Sequence, residues 1–214
     1  MPSVRVNNFS VSLDGFATGE GQSLEAPFGH AGQRLLKWFT DTRTFQAMHG
    51  GAGGTTGIDD LFASNWAPGI GAEISGRHKF GPQRGAWVDD GWKGWWGDDP
   101  PFHTPVFVLT HFPHPPLEME GGTTFYFVDA SPVAALEIAR EAAGGLDVRI
   151  GGGPSTIREF IEADLIDFMH IAVVPILLGR GVRLWDGYEG LEQRFEMQST
   201  SSPSGVTHMT FTRR

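Results

Sequence analysis

The sequence of 214 residues contains no cysteine. This absence excludes disulfide bonds, a thiol nucleophile and any metal site built on thiolates. Positive charge is also scarce, because 16 lysine and arginine residues stand against 25 acidic residues and the net charge is −9. Proteins that bind nucleic acid need clustered lysine and arginine, so this balance argues against a nucleic-acid partner.

Long apolar runs are missing as well. No run approaches the ~20 residues that a membrane-spanning helix requires, and the opening segment MPSVRVNNFSVSLDG has no apolar signal core. We therefore expect a soluble, cytoplasmic protein without a membrane partner. The histidines lack the spacing of metal ligands and no GxSxG signature of a hydrolase occurs, so we predict no bound metal and no Ser-His-Asp triad.

Glycine, by contrast, is abundant at 30 residues, and its most informative cluster lies in DVRIGGGPSTIREFIEAD, residues 147–164. A short apolar run leads into Gly151, Gly152 and Gly153, and Pro154 suits the first position of the helix that the following apolar spacing predicts. Glycines let a ligand approach the backbone, and a helix start attracts phosphate. We predict a phosphorylated ligand at residues 151–156. A tight turn without a ligand is the alternative.

Strand and helix patterns alternate along most of the chain, and the end is all strand. This order predicts an α/β fold with a mixed, mainly parallel central sheet and a C-terminal antiparallel hairpin. No linker divides the chain, so we expect one domain, residues 1–214. The predicted strands are 4–13, 72–75, 106–110, 124–128, 148–150 and 168–174, the helices are 33–47, 58–66, 132–143 and the one from Pro154, and the hairpin is 195–211 with its turn at 201–205.

Five segments resemble one family and occur in its order. They are SLDGFATG (12–19), SGRHKFG (75–81), FVLTH (107–111), IGGGPST (150–156) and LIDFMHIAVVPILLGRGVRLW (165–185). Together they resemble the dihydrofolate reductase-like superfamily, and most closely the C-terminal reductase domain of the bifunctional riboflavin-biosynthesis deaminase–reductase and its stand-alone relatives. The resemblance covers essentially the whole chain. It implies a three-layer fold with helices flanking the sheet, and an NADPH-dependent reductase.

The resemblance also implies roles for individual residues. Asp14 falls where the substrate ring would meet the sheet, and would orient the substrate or relay a proton. The implied cofactor residues are Gly151, Gly152, Gly153, Ser155 and Thr156 for the pyrophosphate, Gly76 and Arg77 for a phosphate, Thr110 and His111 for the adenosine ribose or its 2′-phosphate, Ser10 and Ala17 for the nicotinamide, and Leu178, Gly179, Gly181 and Leu184 for the cofactor cleft.

Chemistry agrees with this assignment but leaves alternatives open. Hydride transfer needs two rings in place and water excluded, and Arg77 offers a fixed guanidinium for a bidentate phosphate contact. Asp14 is equally explained as the turn residue of an Asp-Gly pair, Arg77 as a surface ion pair, and His111 as a solvated loop histidine. His170 lies in an apolar strand and is predicted to be a hydrogen-bonded core residue.

The sequence departs from the family pattern at two of these places. Lys79 stands where the family usually has Thr or Ser, whose hydroxyl meets the cofactor phosphates, although a lysine can bind phosphate as a point charge. Position 111, often basic in relatives, is histidine, which leaves the preference for NADPH over NADH open. The zinc motif of a deaminase is absent, so the deaminase half of the bifunctional relative is not expected.

An aromatic segment, WVDDGWKGWWGDDPPFHTP at residues 87–105, reads as a long surface loop. Its tryptophans have three interpretations: packing on the core of their own chain, a homodimer interface, or a lid that stacks on a flat heterocycle.

We predict a reductase that transfers a hydride from NADPH to a C=N or C=O group of a small heterocyclic substrate, a pterin or a ribosylamino-pyrimidine of riboflavin biosynthesis. Two other functions stay open: a catalytically silent cofactor-binding protein of the same fold, and an assembly role based on the tryptophan loop.

Overall fold

The computed structural model describes residues 2–88 and 91–214. The strands in this part of the chain are β1 (Val4–Ser12), β2 (Phe16–Thr18), β3 (Ile70–Gly76), β4 (Pro105–Leu109), β5 (Leu117–Glu118), β6 (Thr124–Val128), β7 (Asp147–Gly152), β8 (Phe168–Val174), β9 (Val182–Arg183), β10 (Phe195–Ser201) and β11 (Thr207–Arg213). The helices are α1 (Lys37–Thr40), α2 (Arg43–Met48), α3 (Ile58–Ala63), α4 (Arg77–Phe80), α5 (Pro132–Ala142) and α6 (Pro154–Glu162), with 3-10 turns at Gly29–Leu35, Glu120–Gly122 and Leu191–Arg194.

These elements fold as two compact units. Unit 1 comprises Met1–Arg5 and Gly69–Leu165, and unit 2 comprises Val6–Pro68 and Ile166–Arg214. The mixed, mainly parallel sheet with flanking helices and a C-terminal antiparallel hairpin, predicted from the sequence, is confirmed. The expectation of one reductase domain over residues 1–214 stays a prediction.

Unit 1 carries a parallel sheet in the order β7–β3–β4–β6, with the first residues of β1 paired to β7 and the short β5 antiparallel at the other end. The register places Ser75 opposite Gly152 and Gly76 opposite Leu109, so β7, β3 and β4 end at the same edge. Parallel strands need buried faces, and Ile74, Val108 and Ile150 are indeed almost fully buried.

The two long helices of unit 1 begin as their sequences predict. In α5 the Ser131 hydroxyl accepts a hydrogen bond from the Ala134 N–H, and Pro132 occupies the first turn. In α6 the apolar stripe Ile157, Phe160 and Ile161 is buried, as the helical spacing predicted. Both helices pack on β3 and β7.

Unit 2 carries the strand order β10–β11–β8–β1, in which β10 and β11 form the antiparallel hairpin and β11 is also antiparallel to β8. A separate two-stranded ribbon joins β2 to β9. The core of this unit includes Trp38, Leu35 and Val174, and the Trp38 indole N–H donates to the Ser10 hydroxyl at 2.8 Å.

The predicted helix 33–47 is wrong. The chain there forms a 3-10 turn, then α1 and α2, each shorter than two full turns. Thr42 has extended backbone angles, and its hydroxyl accepts from the Phe45 N–H, so it ends one segment and starts the next. Threonine favours helix caps over helix interiors, and the run Thr40-Asp41-Thr42 overrides the apolar spacing.

The prediction for His170 is confirmed. This side chain is buried and hydrogen-bonded through Nδ1 to Asn8 and through Nε2 to His208 at 3.0 Å, and His208 contacts the Asp59 carboxylate at 2.8 Å. Phe62 stacks on both imidazoles, at centroid distances of 4.4 and 4.3 Å. Burial, with the neighbouring His208, lowers the pKa of His170 to about 3.

Candidate cofactor-binding site

Unit 1 brings three of the predicted segments to one edge of its sheet. The glycine bend, residues 151–153, includes the last two residues of β7, Gly76 ends β3 and Arg77 begins α4, and Thr110 and His111 follow β4. Because these strands are parallel neighbours, the three segments lie side by side. Gly76 packs so closely on the Thr156 side chain that a Cβ at position 76 would overlap its hydroxyl. Ligands of α/β sheets bind beyond this carboxyl edge.

The glycine bend presents backbone N–H groups at the start of α6. No side chain caps this helix, and its first residue, Pro154, has no N–H group to offer. The next amides, those of Ser155 and Thr156, lie in the first turn, where helical N–H groups lack intrahelical partners. A Cβ built at Gly153 would meet no heavy atom of the described residues within 4 Å, so the bend has open space on this side.

The inner side of the bend rests on a buried ion cluster. Glu73 of β3 accepts from the Arg149 Nε at 2.7 Å and from the Lys79 Nζ at 2.5 Å, and a Cβ at Gly151 would overlap the Glu73 carboxylate and the Lys79 ammonium. Burial alone would raise the pKa of Glu73, but the charges of Arg149 and Lys79 outweigh it and hold that pKa below its usual value. The Lys79 ammonium is therefore engaged by a carboxylate beneath the bend.

Arg77 extends from the start of α4 onto the aromatic segment. Its guanidinium lies 3.8 Å from the Trp87 ring centroid and donates to the Gly85 carbonyl. Its Nε and one Nη are buried and have no hydrogen-bond partner among residues 2–88 and 91–214. Burial, with the nearby charge of Arg84, lowers the pKa of Arg77. A partly desolvated guanidinium with two such nitrogens favours an anion.

Thr110 and His111 differ in exposure. Thr110 is buried, its N–H donates to the Val128 carbonyl at 2.9 Å, and its hydroxyl accepts from the Phe112 N–H at 3.1 Å. The His111 side chain is 89% exposed and its Nδ1 lies 3.0 Å from an Asp129 carboxylate oxygen. Of this pair, the imidazole is the group that is accessible to a ligand.

Asp14, in unit 2, is engaged by the protein itself. One carboxylate oxygen accepts from the Ser12 hydroxyl at 2.6 Å and from the Leu178 N–H at 3.1 Å, and the other accepts from the Gly179 N–H at 2.7 Å. The Ser12 hydroxyl and these two amides lower the pKa of Asp14 to about 2. The group is an ionised acceptor at neutral pH.

The remaining predicted residues also lie in unit 2. Gly181 approaches the Thr18 carbonyl so closely that a Cβ there would overlap it, and Gly179 has the left-handed φ of +73° that favours glycine. The other four have buried side chains, namely Ser10, Ala17, Leu178 and Leu184. Their cofactor contacts stay predictions, as do those of the unit 1 residues.

Four residues that contact the predicted site residues were not predicted individually from the sequence. Glu73 and Arg149 are charged residues within apolar strands, a signal that could have indicated a buried ion pair. Trp87 was weighed only with its segment. His30 gave no signal in the sequence, yet its Nδ1 accepts from the Glu20 N–H at 3.0 Å and its Nε2 lies 3.2 Å from the Leu178 carbonyl oxygen.

The described part of the aromatic segment packs on unit 1. The Trp92 indole N–H donates to the Phe80 carbonyl at 3.1 Å, and Trp96 stacks on the buried Phe125. These contacts support packing on the core of its own chain. Asp89 and Asp90 lie outside the described residues, and the homodimer and lid interpretations stay predictions.

Within residues 2–88 and 91–214, no three His, Asp or Glu side chains are grouped so that they could hold a metal ion. In the same part of the chain, no helix has the length and apolar character needed to cross a membrane. The prediction of no bound metal stays a prediction.

The model of the RibD C-terminal domain family matches residues 2–208 of the chain. The chain belongs to the RibD C-terminal domain family. Membership supports an oxidoreductase and confirms the resemblance stated from the five sequence segments. No curated protein matches the chain.

Solved structures of the RibD type share the fold. A protein of Shewanella sp. PV-4 that is assigned to riboflavin biosynthesis has a TM-score of 0.59 at 22% identity, and the alignment covers 100% of this chain and 99% of that one. A pyrimidine reductase-like protein of Corynebacterium diphtheriae gives 0.51 at 15% identity, with 100% and 92% covered. At these identities the likeness shows the fold alone.

A longer relative is the diaminohydroxyphosphoribosylaminopyrimidine deaminase/5-amino-6-(5-phosphoribosylamino)uracil reductase of Thermotoga maritima. It gives a TM-score of 0.53 at 15% identity, and the alignment covers all of this chain but 57% of that one. The chain therefore spans little more than half of this bifunctional relative.

Proposed function

We propose that this RibD C-terminal domain protein is an NADPH-dependent reductase that transfers a hydride to a C=N or C=O group of a small heterocyclic substrate. One observation carries the proposal, and it holds for the part of the chain that the structure describes. There the start of α6 has no side-chain cap and is open at Gly153, and the parallel neighbour β3 leads into Arg77, whose guanidinium has two nitrogens without a hydrogen-bond partner. Backbone N–H groups and a guanidinium are the donors that phosphate groups bind.

The proposal assigns the cofactor phosphates to unit 1. The amides of Ser155 and Thr156 would hold the pyrophosphate, Arg77 would hold a further phosphate, and His111, with Thr110, would meet the adenosine ribose or its 2′-phosphate. A nicotinamide cofactor supplies the hydride when bound. The protein contributes placement and electrostatics, since hydride transfer asks little else of it. In unit 2 we retain Ser10 and Ala17 as candidates for nicotinamide contacts, and as candidates for the cofactor cleft Leu178, Gly179, Gly181 and Leu184.

We infer the substrate class from the names of two relatives. The Thermotoga relative is named for reduction of 5-amino-6-(5-phosphoribosylamino)uracil, and the Corynebacterium relative as pyrimidine reductase-like. We propose a ribosylamino-pyrimidine as the first substrate to test and a pterin as the second. Zinc deaminases use cysteine ligands, which this sequence lacks, so the deaminase step is not part of the proposal.

The experiment is a pair of titrations followed by an activity assay. NADPH and NADH are titrated into the full chain while its seven tryptophans are excited, because Trp87 stacks on Arg77 and would report an anion there. Loss of NADPH absorbance is then followed with a ribosylamino-pyrimidine 5′-phosphate and a pterin as substrates. Saturable binding with oxidation of NADPH by one of these supports the proposal, and no binding of either dinucleotide contradicts it.

A catalytically silent cofactor-binding protein is the second candidate, and one observation favours it. Asp14, the residue predicted to relay a proton, is an ionised carboxylate engaged by two backbone amides. Tight NADPH binding without oxidation on any substrate of the panel would select this candidate.

A further inference from the structure

In the Leu178–Gly179 segment of unit 2, both N–H groups and the carbonyl between them have side-chain hydrogen-bond partners. The Leu178 N–H donates to both Asp14 carboxylate oxygens at 3.1 and 3.2 Å, and the Gly179 N–H donates to one of them at 2.7 Å. The Leu178 carbonyl oxygen lies 3.2 Å from the His30 Nε2. Two side chains from separate segments thus engage both amides and the intervening carbonyl.

The imidazole of His30 can serve this carbonyl in one tautomer only. Its Nδ1 accepts from the Glu20 N–H at 3.0 Å, so the ring hydrogen is on Nε2, which then donates to the Leu178 carbonyl. His30 therefore joins the segment after β2 to the segment after β8.

Packing fixes the same peptide from its side chain. Leu178 is buried in an apolar cluster with Phe16, Ala31 and Leu35. Gly179 is exposed, with φ at +73°, so the backbone leaves the cluster at this residue and faces outward. The peptide is therefore packed against the cluster at Leu178 and accessible to solvent at Gly179.

We propose that Asp14 and His30 are positioning residues that fix the Leu178–Gly179 peptide for contact with the cofactor, and that Asp14 acts as an ionised acceptor of amide hydrogens instead of as a proton donor. The proposal rests on the proposed function, since it assigns the fixed segment to that cofactor. It differs from the interpretation of Asp14 as a proton relay, because an engaged, ionised carboxylate has no proton to deliver.

The first test is amide hydrogen exchange of the full chain in the absence of cofactor. Asp14→Ala removes both acceptor oxygens, and exchange at the Leu178 and Gly179 amides should rise by about tenfold to a hundredfold, the range for a lost hydrogen bond to a charged group. Asp14→Asn keeps one carbonyl oxygen and should raise exchange at one of the two amides. Asp41→Asn, which changes an exposed carboxylate paired with Lys37, is the matched control.

The second test separates positioning from general stability. His30→Gln can place an amide N–H near the Nε2 position and keep the bond to Leu178, whereas His30→Asn can replace only the acceptor for Glu20. NADPH affinity should fall by about tenfold in His30→Ala and His30→Asn and should recover in His30→Gln, because one hydrogen bond is worth about that factor.

Two outcomes would overturn the proposal. One is unchanged exchange at Leu178 and Gly179 in both Asp14 variants. The other is an equal loss of NADPH affinity in His30→Gln and His30→Asn. If the wild-type chain bound neither NADPH nor NADH, the proposed function and the cofactor role of this peptide would both fail, and the exchange data would still decide whether Asp14 holds it.

Discussion

Two backbone turns of this protein present N–H groups, and they differ in what accepts them. At the start of α6 in unit 1, no side chain of the described residues caps the helix or fills the space at Gly153. At Leu178–Gly179 in unit 2, the Asp14 carboxylate already accepts hydrogen bonds from both amide N–H groups. The first turn can receive a phosphate from outside, and the second has an anion of its own. A glycine-containing turn therefore indicates an anion site only when no internal carboxylate occupies it.

The largest expected effect comes from disrupting the buried ion cluster of Glu73, Lys79 and Arg149, which lies beneath the glycine bend at the start of α6. Glu73→Gln removes the carboxylate charge that Lys79 and Arg149 share, which we expect to lower the free energy of unfolding by about 3–5 kcal/mol. Urea unfolding measures this. Asp98→Asn, which breaks the exposed Lys93–Asp98 pair, should cost under about 1 kcal/mol. Equal effects of the two substitutions would show that the cluster does not support the bend.

The second prediction concerns a variant in which the turn at the start of α6 carries a carboxylate, as the turn at Leu178–Gly179 does through Asp14. Gly153→Asp adds an internal acceptor at the start of α6, where the backbone angles are extended and a Cβ has room. NADPH affinity should fall by about a hundredfold, the loss expected when charge-assisted contacts are replaced by repulsion. Gly153→Ala is the steric control and should retain most of the affinity. A variant with Asp that binds NADPH as tightly as the one with Ala would contradict the role of these amides.

Arg77 tests the cation beside the turn at the start of α6. Arg77→Ala should weaken NADPH binding by about 1–3 kcal/mol, the range for lost charge-assisted contacts. Lys93→Ala, which removes an exposed lysine of the same unit, should leave the affinity unchanged. Isothermal titration measures both, and an unchanged constant for Arg77→Ala would remove this residue from the proposed site.

The smallest expected effect is a fall in the free energy of unfolding at acid pH. The hydrogen bonds of Asp14 to the Leu178–Gly179 turn should not weaken over the same pH range. The pKa of His170 is about 3 in the folded protein and about 6.5 in an unfolded chain, so unfolding takes up a proton as the pH falls below 6.5. The contribution of His170 to the free energy of unfolding is therefore fully present above pH 6.5 and is lost progressively below it. Lowering the pH from 7.5 to 5.5 should cost about 1.4 kcal/mol.

The matched variant for this response is His170→Gln, in which urea midpoints should change less across the same pH range. Asp14, with a pKa of about 2, stays ionised over this range, so exchange at Leu178 and Gly179 should keep its protection, once corrected for the intrinsic rate. Midpoints that fall equally in both proteins would exclude His170 as the cause.

Local patterns predicted most of the strands and the long helices, because a buried parallel strand and an amphipathic helix each repeat at a fixed period. The helix after the glycine bend was predicted for the same reason, whereas the bend itself was predicted from its three glycines and Pro154. The region 33–47 was not, since the capping preference of Thr42 outweighed its apolar spacing. The short strands β2, β5 and β9 carry too few residues to show a period.

Tertiary contacts decide what the sequence could not. Asp14 and Leu178 are 164 positions apart, and Glu73 and Arg149 are 76 apart, so spacing along the chain does not show which residue pairs with which. Lys79 was interpreted as a possible phosphate ligand because it replaces a hydroxyl residue of the family, and only its distance to Glu73 shows that a carboxylate holds it. Pairing between distant charges is set by the fold and not by spacing along the chain.

The most direct measurement is an NMR titration of backbone amides with NADPH. If the start of α6 holds the pyrophosphate, the Ser155 and Thr156 amide signals shift with the saturation of the cofactor, and they shift in the same direction with inorganic pyrophosphate. Saturable binding of NADPH that leaves both signals in place would contradict a phosphate site at this turn.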